Sequence, residues 1–183
     1  MLLAVAGEGP SSARAMSDAA LARPASGSLA FHALAAIVPV ALASALGSLA
    51  TLPNIPTWYA GLVKPPLTPP NAVFGPTWTI LFVLMAYAAF RVWRLPAGTS
   101  GRGRALALFY GQLTLNALWS WAFFGGRSPG LGLIVIAGML VAITLTIRAF
   151  APLDRIAALL LAPYLAWVSF ASYLNLGIWW LNR

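Results

Sequence analysis

The chain has 183 residues, of which 61% are hydrophobic and only 8% charged, with a formal net charge of +8 and no cysteine. A soluble domain carries about 25% charged residues, so this composition, with a mean hydropathy of +0.84, excludes an ordinary water-soluble fold. The absent cysteines exclude disulfides and thiolate chemistry, and the positive residues flank apolar runs instead of forming an aromatic-interleaved patch, which argues against a nucleic-acid surface.

Residues 1–28 are rich in Ala, Ser, Gly and Pro and read as a disordered tail, with Met16 as an alternative start. The remainder, 29–183, reads as one transmembrane domain. Span one covers about 29–52; it is dense in small residues that permit close helix approach, and Pro39 is placed to bend it. Residues 53–75 then form a proline-rich loop. The stretch 53–78, PNIPTWYAGLVKPPLTPPNAVFGPTW, holds seven of the fourteen prolines and one charge, Lys64. Proline fixes φ and removes a backbone donor, so a regular helix is not expected there. The loop is also apolar. It reads as a lid over the mouth of a helical bundle or, alternatively, as an interfacial loop among lipid headgroups.

Span two covers about 76–93, with Pro76 expected in its first turn. Spans three (105–124), four (131–150) and five (155–181) follow, joined by Gly-rich or Pro-containing turns. Asp154 is placed to cap span five, and Pro163 should kink it. The expected fold is therefore an all-α membrane protein, a five-transmembrane-helix bundle with a proline-rich loop capping a cavity. Arg14, Arg23, Arg91, Arg94, Arg102, Arg104, Arg148 and Arg155 fall on one side; Lys64, Arg127 and Arg183 fall on the other. The positive-inside rule then puts the amino terminus in the cytoplasm, and the lid and carboxy terminus on the opposite side.

No acid, lysine or arginine lies deep in a span, which argues against pumps and ion-coupled carriers. One histidine, His32, and three acids cannot supply a metal centre, and a hydrolytic triad through His32 has no acid near it in the chain. What remains is aromatic and amide chemistry. Gln112, Asn116, Trp119 and Phe123 fall at i, i+4, i+7 and i+11 on one face of span three. Amides in hydrocarbon need partners, so that face turns inward. In span five, Tyr164, Trp167, Ala171 and Leu174 share a face with Asn175 beside it, and Trp167 lies near mid-span. With Trp78 these groups converge beneath the lid. They either wall a cavity for a flat, largely apolar ligand with polar edges, or fill the bundle core.

Three ordered stretches, 58–78 (WYAGLVKPPLTPPNAVFGPTW), 112–125 (QLTLNALWSWAFFG) and 163–175 (PYLAWVSFASYLN), resemble the tryptophan-rich sensory protein / translocator protein family, also called the peripheral-type benzodiazepine receptor family. The resemblance extends over about 29–182. It implies a five-helix bundle, commonly a homodimer, that binds porphyrins such as protoporphyrin IX, and isoquinoline- or benzodiazepine-like drugs. It implies no obligatory cofactor and no metal; porphyrin is the ligand. The ligand-binding residues so implied are Trp58, Tyr59, Trp78, Asn116, Trp119, Trp167 and Ala171. Trp78 and Trp167 align with the tryptophans of the family's proposed light-dependent porphyrin degradation. Two other readings accompany this receptor or sensor role: a facilitative transporter of tetrapyrroles, and a stress-response membrane scaffold regulated by ligand. Leu67 stands where many members carry an aromatic residue, which would loosen drug binding. The family's cholesterol-type motif is unmet near the carboxy terminus, since no basic residue follows Tyr173 until Arg183. For dimerisation, Ala107-x3-Gly111 and Gly138-x3-Ala142 offer small faces for close helix contact.

Overall fold

A computed structural model describes residues 26–183. The tail expected over 1–28 lies outside the described residues, except that its last three open the first helix. Helix α1 runs Ser26–Thr51, α2 Asn71–Trp93, α3 Arg102–Ser120, α4 Pro129–Phe150, α5 Arg155–Leu160 and α6 Ala162–Leu181. A π turn, Trp121–Gly125, continues α3. The described residues contain no strand.

Among the described residues, four segments are long and apolar enough to cross a bilayer: Leu29–Asn54, Asn71–Trp93, Pro129–Phe150 and Arg155–Leu181. Helix α3 is less apolar because its inward face carries Gln112, Asn116 and Ser120, all buried. The outward faces are predominantly apolar: Leu34, Leu49, Ile80, Ile134 and Trp180 are all exposed. Hydrocarbon, not water, suits such a surface, and helices satisfy their own backbone groups inside it. The protein is thus an integral membrane protein.

The lid differs from the sequence expectation in two respects. The lid ends earlier, because α2 starts at Asn71 and not at 76. Pro70, extended at φ −54° and ψ 145°, is the last residue outside the helix, and Pro76 lies in the second turn. The lid is also less extended than its prolines imply, with single 3-10 turns at Leu52–Asn54 and Tyr59–Gly61. A 3-10 turn tolerates proline at its start, where no backbone donor is required. The fifth span is two helices: Leu161 breaks the run, and α6 restarts with Pro163 in its first turn. This is the expected kink. Asp154 caps α5 as expected, accepting from the Ala157 N–H at 2.9 Å.

Helix α1 packs between α2 and α3, α3 against α4, α4 against α6, and α5 against α2. The bundle therefore closes as a ring in the order α1, α2, α5/α6, α4, α3. The half away from the lid is solid. Met85, Ala88, Ala89, Val92, Phe109 and Phe150 are fully buried there, and the Phe109 and Phe150 rings stack 6.0 Å apart. Without a hydrophobic drive between helices in lipid, such close packing is what holds them.

Polar ties lock the same end. The Trp93 indole N–H donates to the Tyr110 hydroxyl at 2.7 Å, and that hydroxyl donates to the Ala35 carbonyl at 2.8 Å, joining α2, α3 and α1. Arg102 caps the carboxyl end of α2 by donating to the Val92 and Trp93 carbonyls, as a cation at a helix C-terminus should. Arg91 pairs with Asp154 at 2.9 Å. The turn before α3 passes through Gly101 at φ +82°, a left-handed conformation that glycine adopts without steric cost.

Candidate functional site

In the lid half the ring is hollow. A cavity of about 400 Å³ lies between α1, α2, α3 and α6 under the lid. This falls within the range of small-molecule pockets, about 300–1,000 Å³.

Each wall has a local cause. Helix α1 contributes Ala43, Ser44, Gly47, Ser48 and Thr51, a single face of small side chains. Small residues were expected to bring helices together; here most of them instead leave space. The exception is Gly47, where a Cβ would stand 3.1 Å from the Ser120 hydroxyl. Opposite, α2 contributes Phe74, Trp78 and Phe82, spaced one turn apart. The rings do not fill the space that these small side chains leave, so a void remains between them.

Helix α3 contributes Asn116 and Trp119, and its π turn adds Phe123 and Phe124. The Gly126 N–H bonds back five residues to the Trp121 carbonyl. The turn leaves Trp121 half exposed and buries both phenylalanines. Single π turns of this kind are frequent at functional sites. From α6 come Ala171, Leu174, Asn175 and Ile178.

The polar groups of the wall are held in place. The Trp119 indole N–H donates to Asn175 Oδ1 at 3.0 Å, and Asn175 Nδ2 donates to the Pro129 carbonyl at 2.8 Å. Gly132 makes this possible, because a Cβ there would stand 2.7 Å from Asn175 Oδ1. Asn116 Nδ2 donates to the Tyr164 hydroxyl at 3.1 Å, so Tyr164 props the floor. The Trp119 and Phe123 rings stack 5.2 Å apart. The wall contains no Asp, Glu, Lys, Arg or His, and the described residues hold no cluster able to bind a metal ion. Such a site binds by shape, aromatic contact and a few directed hydrogen bonds.

Of the residues singled out from the sequence, Tyr59, Trp78, Asn116, Trp119 and Ala171 line this cavity. Trp58 and Trp167 do not. Trp58 sits behind the wall, edge-on to Phe123 at 5.5 Å and Phe124 at 6.4 Å. Trp167 lies one turn below Ala171, in a separate groove between α2 and α6 with Ile80, Leu81, Pro163 and Phe170. Its ring meets the cavity-lining Phe74 edge-on at 5.8 Å. Leu67 is 78% exposed and is not among the residues that line the cavity. The sequence reading missed Ser44, Ser48, Asn71, Phe74 and Phe82. Of these, Phe74 and Phe82 were reachable, since they flank Trp78 at i−4 and i+4.

The lid is fastened to α6. Asn182 Nδ2 donates to the Val63 carbonyl at 2.9 Å, and the Val63 N–H donates back to Asn182 Oδ1 at 2.9 Å. The Tyr173 hydroxyl donates to the Pro66 carbonyl at 3.1 Å. Gly177 admits the Pro65 ring, which would stand 2.6 Å from a Cβ at that position.

Comparison with known proteins agrees with this architecture. The model described as the TspO/MBR family matches residues 35–181. The chain is 42% identical over 149 residues to the tryptophan-rich protein TspO of Archaeoglobus fulgidus, covering 81% of this chain and 95% of that one. It is 40% identical over 123 residues to the human translocator protein, covering 67% and 73%. It is 41% identical over 125 residues to the tryptophan-rich sensory protein of Cereibacter sphaeroides, covering 68% and 77%. A helical membrane bundle, an aromatic cavity under a proline-rich lid, and matches of this length together place the chain in the TspO/MBR family.

Proposed function

We propose that this protein is a membrane receptor or sensor that binds porphyrins, such as protoporphyrin IX and haem-related tetrapyrroles, and drug-like aromatic ligands in the cavity beneath the lid. The observation that carries this reading is the wall itself: Trp78, Trp119, Phe74 and Phe123 offer ring faces, while Asn116 and Asn175 offer amides. A flat, conjugated, largely apolar ligand with polar edges is the chemical complement of such a wall. The solid half beneath it favours reception over transport through one protomer, since Met85, Phe109 and Val92 are fully buried there. If light-dependent degradation of porphyrin occurs, Trp78 is the electron donor in contact with the ligand. Trp167 then acts only through Phe74.

In this reading α3 and its π turn form the fifth crossing, the amino terminus is cytoplasmic, and the lid and carboxy terminus lie opposite. The arginines on the lidless side support that orientation. A homodimer through α3 fits as well, because Ala107 and Gly111 are exposed on its outer face.

The test is a dark titration of the nanodisc-embedded protein with protoporphyrin IX, followed by tryptophan fluorescence. Trp78→Phe and Trp119→Phe should each weaken saturable binding by about tenfold, the order of one lost aromatic contact or hydrogen bond. Trp167→Phe should leave affinity unchanged. Quenching that does not saturate and equals that of empty nanodiscs would sink the receptor reading.

A further inference from the structure

We propose that the ligand enters and leaves this cavity sideways, from the bilayer, through the seam between the lid halves of α1 and α2, while the proline-rich lid stays shut. The inference rests on the reading of the cavity as a ligand site.

The roof is pinned. Its contacts with α6 span Tyr173 to Asn182, more than two helical turns, and combine three hydrogen bonds with the seating of Pro65 against Gly177. The other end of the lid is tied as well: Arg127 donates to Asn54 Oδ1 at 3.2 Å, and Asn54 Nδ2 donates to the Ala50 carbonyl at 2.9 Å. Proline adds stiffness between these anchors. Moving the roof would break all of these contacts together.

The seam has the opposite character. Ser48 on α1 and Asn71, Gly75 and Thr79 on α2 line the cavity and are also exposed. A residue is both only where a wall is open. Among the described residues no hydrogen bond joins α1 to α2. The Thr79 hydroxyl turns back to its own helix, donating to the Gly75 carbonyl at 3.0 Å. Pro76 lacks the N–H that would bond the Ala72 carbonyl, so the start of α2 is short of one internal bond. A Cβ at Gly75 would meet nothing within 4 Å, so no neighbour braces that point. The Tyr110 node at the lidless end ties both helices alike, whereas at the lid end α1 alone is tied, to the α3–α4 turn through Asn54 and Arg127. The first two turns of α2 are therefore the element free to swing.

The opening faces lipid, since Leu52, one turn from Ser48, and Val83, one turn from Thr79, are exposed. The ligand class that can use such an entrance is one already dissolved in the bilayer: a planar apolar body small enough to pass between two helices, with polar edges for the asparagines inside.

The cysteine-free chain makes the test direct. Two double variants are embedded in nanodiscs and bridged with a short bis-maleimide: Ser48→Cys with Thr79→Cys across the seam, and Val63→Cys with Arg183→Cys across the lid clasp, a pair that leaves the Asn182 hydrogen bonds to the Val63 backbone in place. Each is compared with its unbridged form by stopped-flow protoporphyrin IX fluorescence. Bridging the seam should slow both association and release by about tenfold or more, and bridging the lid should leave both within about twofold, as for a gate against a fixed wall. Slowing by the lid bridge, or no slowing by the seam bridge, would overturn the route. A ligand-independent arm uses the single variant Ser44→Cys inside the cavity. Labelling by a bilayer-dissolved pyrene maleimide should outpace labelling by a sulfonated, water-confined maleimide. Equal or reversed rates count against lateral entry. If porphyrin binding fails to saturate while Ser44→Cys still labels preferentially from lipid, the route stands and the porphyrin reading falls.

Discussion

The two halves of this bundle are built from the same helices and differ in one respect. Away from the lid, side chains pack without a void, as where Met85, Ala88, Ala89, Ala36 and Val40 are buried in one cluster and Phe109 stacks on Phe150. Under the lid, serines and a glycine of α1 face the large rings of α2, and the space stays open. The comparison teaches where stability and function reside. In a bilayer, where burial adds no drive, the interlocked half must hold the fold. The hollow half is then free to carry small residues, an unpaired seam and a π turn. Binding sites are drawn from the less stable parts of a structure for this reason.

The contrast can be broken from either side. The largest effect is expected in the solid half. Phe109→Ala removes a fully buried ring and should cost about 3–5 kcal/mol, read as a fall in thermal stability in detergent or nanodiscs. If the variant is as stable as the parent, that half is not the structural one. Gly177→Ala comes next, because the Pro65 ring is too rigid to give way to a new Cβ. It should cost about 1–3 kcal/mol and make the lid cleavable by protease while the helices remain protected. An uncleaved lid would show that its clasp does not depend on Gly177.

The smallest effect lies at Arg91 and Asp154, which join the two chain segments at the lidless end. Burial alone would raise the Asp154 carboxyl, but the Ala157 N–H and the Arg91 guanidinium outweigh it and hold the group below the ordinary carboxylate range. A depressed folded value means the stabilisation is present above the unfolded carboxylate value of about 3.9 and is lost as pH falls through the folded value. Thermal stability should therefore decline in acid. In Asp154→Asn, which keeps a good helix cap, it should be slightly lower at neutral pH and should lose part of that acid dependence. An identical acid profile in both proteins would assign the decline to other groups.

Much of this was legible in the chain. Long apolar runs declare bilayer-crossing helices, because hydrocarbon tolerates no unpaired backbone. The amide face of span three, with Asn116 and Trp119, was readable from its period alone. The cap at Asp154 and the break before Pro163 were readable from residue chemistry. Trp167 shows the limit. Its helical phase matches that of Ala171, but it sits one turn too deep, and its ring turns into the groove against α2. Trp58 shows another: neighbouring residues of a 3-10 turn diverge, so Tyr59 faces the cavity and Trp58 packs behind it. The small residues of α1 were visible but ambiguous, since a serine can draw two helices together or hold them apart.

The sequence by itself determined the solvent, the helices, the faces that must turn inward and the family, because each of these depends on one segment at a time. Tertiary structure alone decided where the bundle is hollow, which aromatic rings reach that space, and which wall is pinned and which is loose. A cavity is a failure of two opposed surfaces to meet, so it is set by the depth and size of facing residues on different helices, and no single segment contains that information.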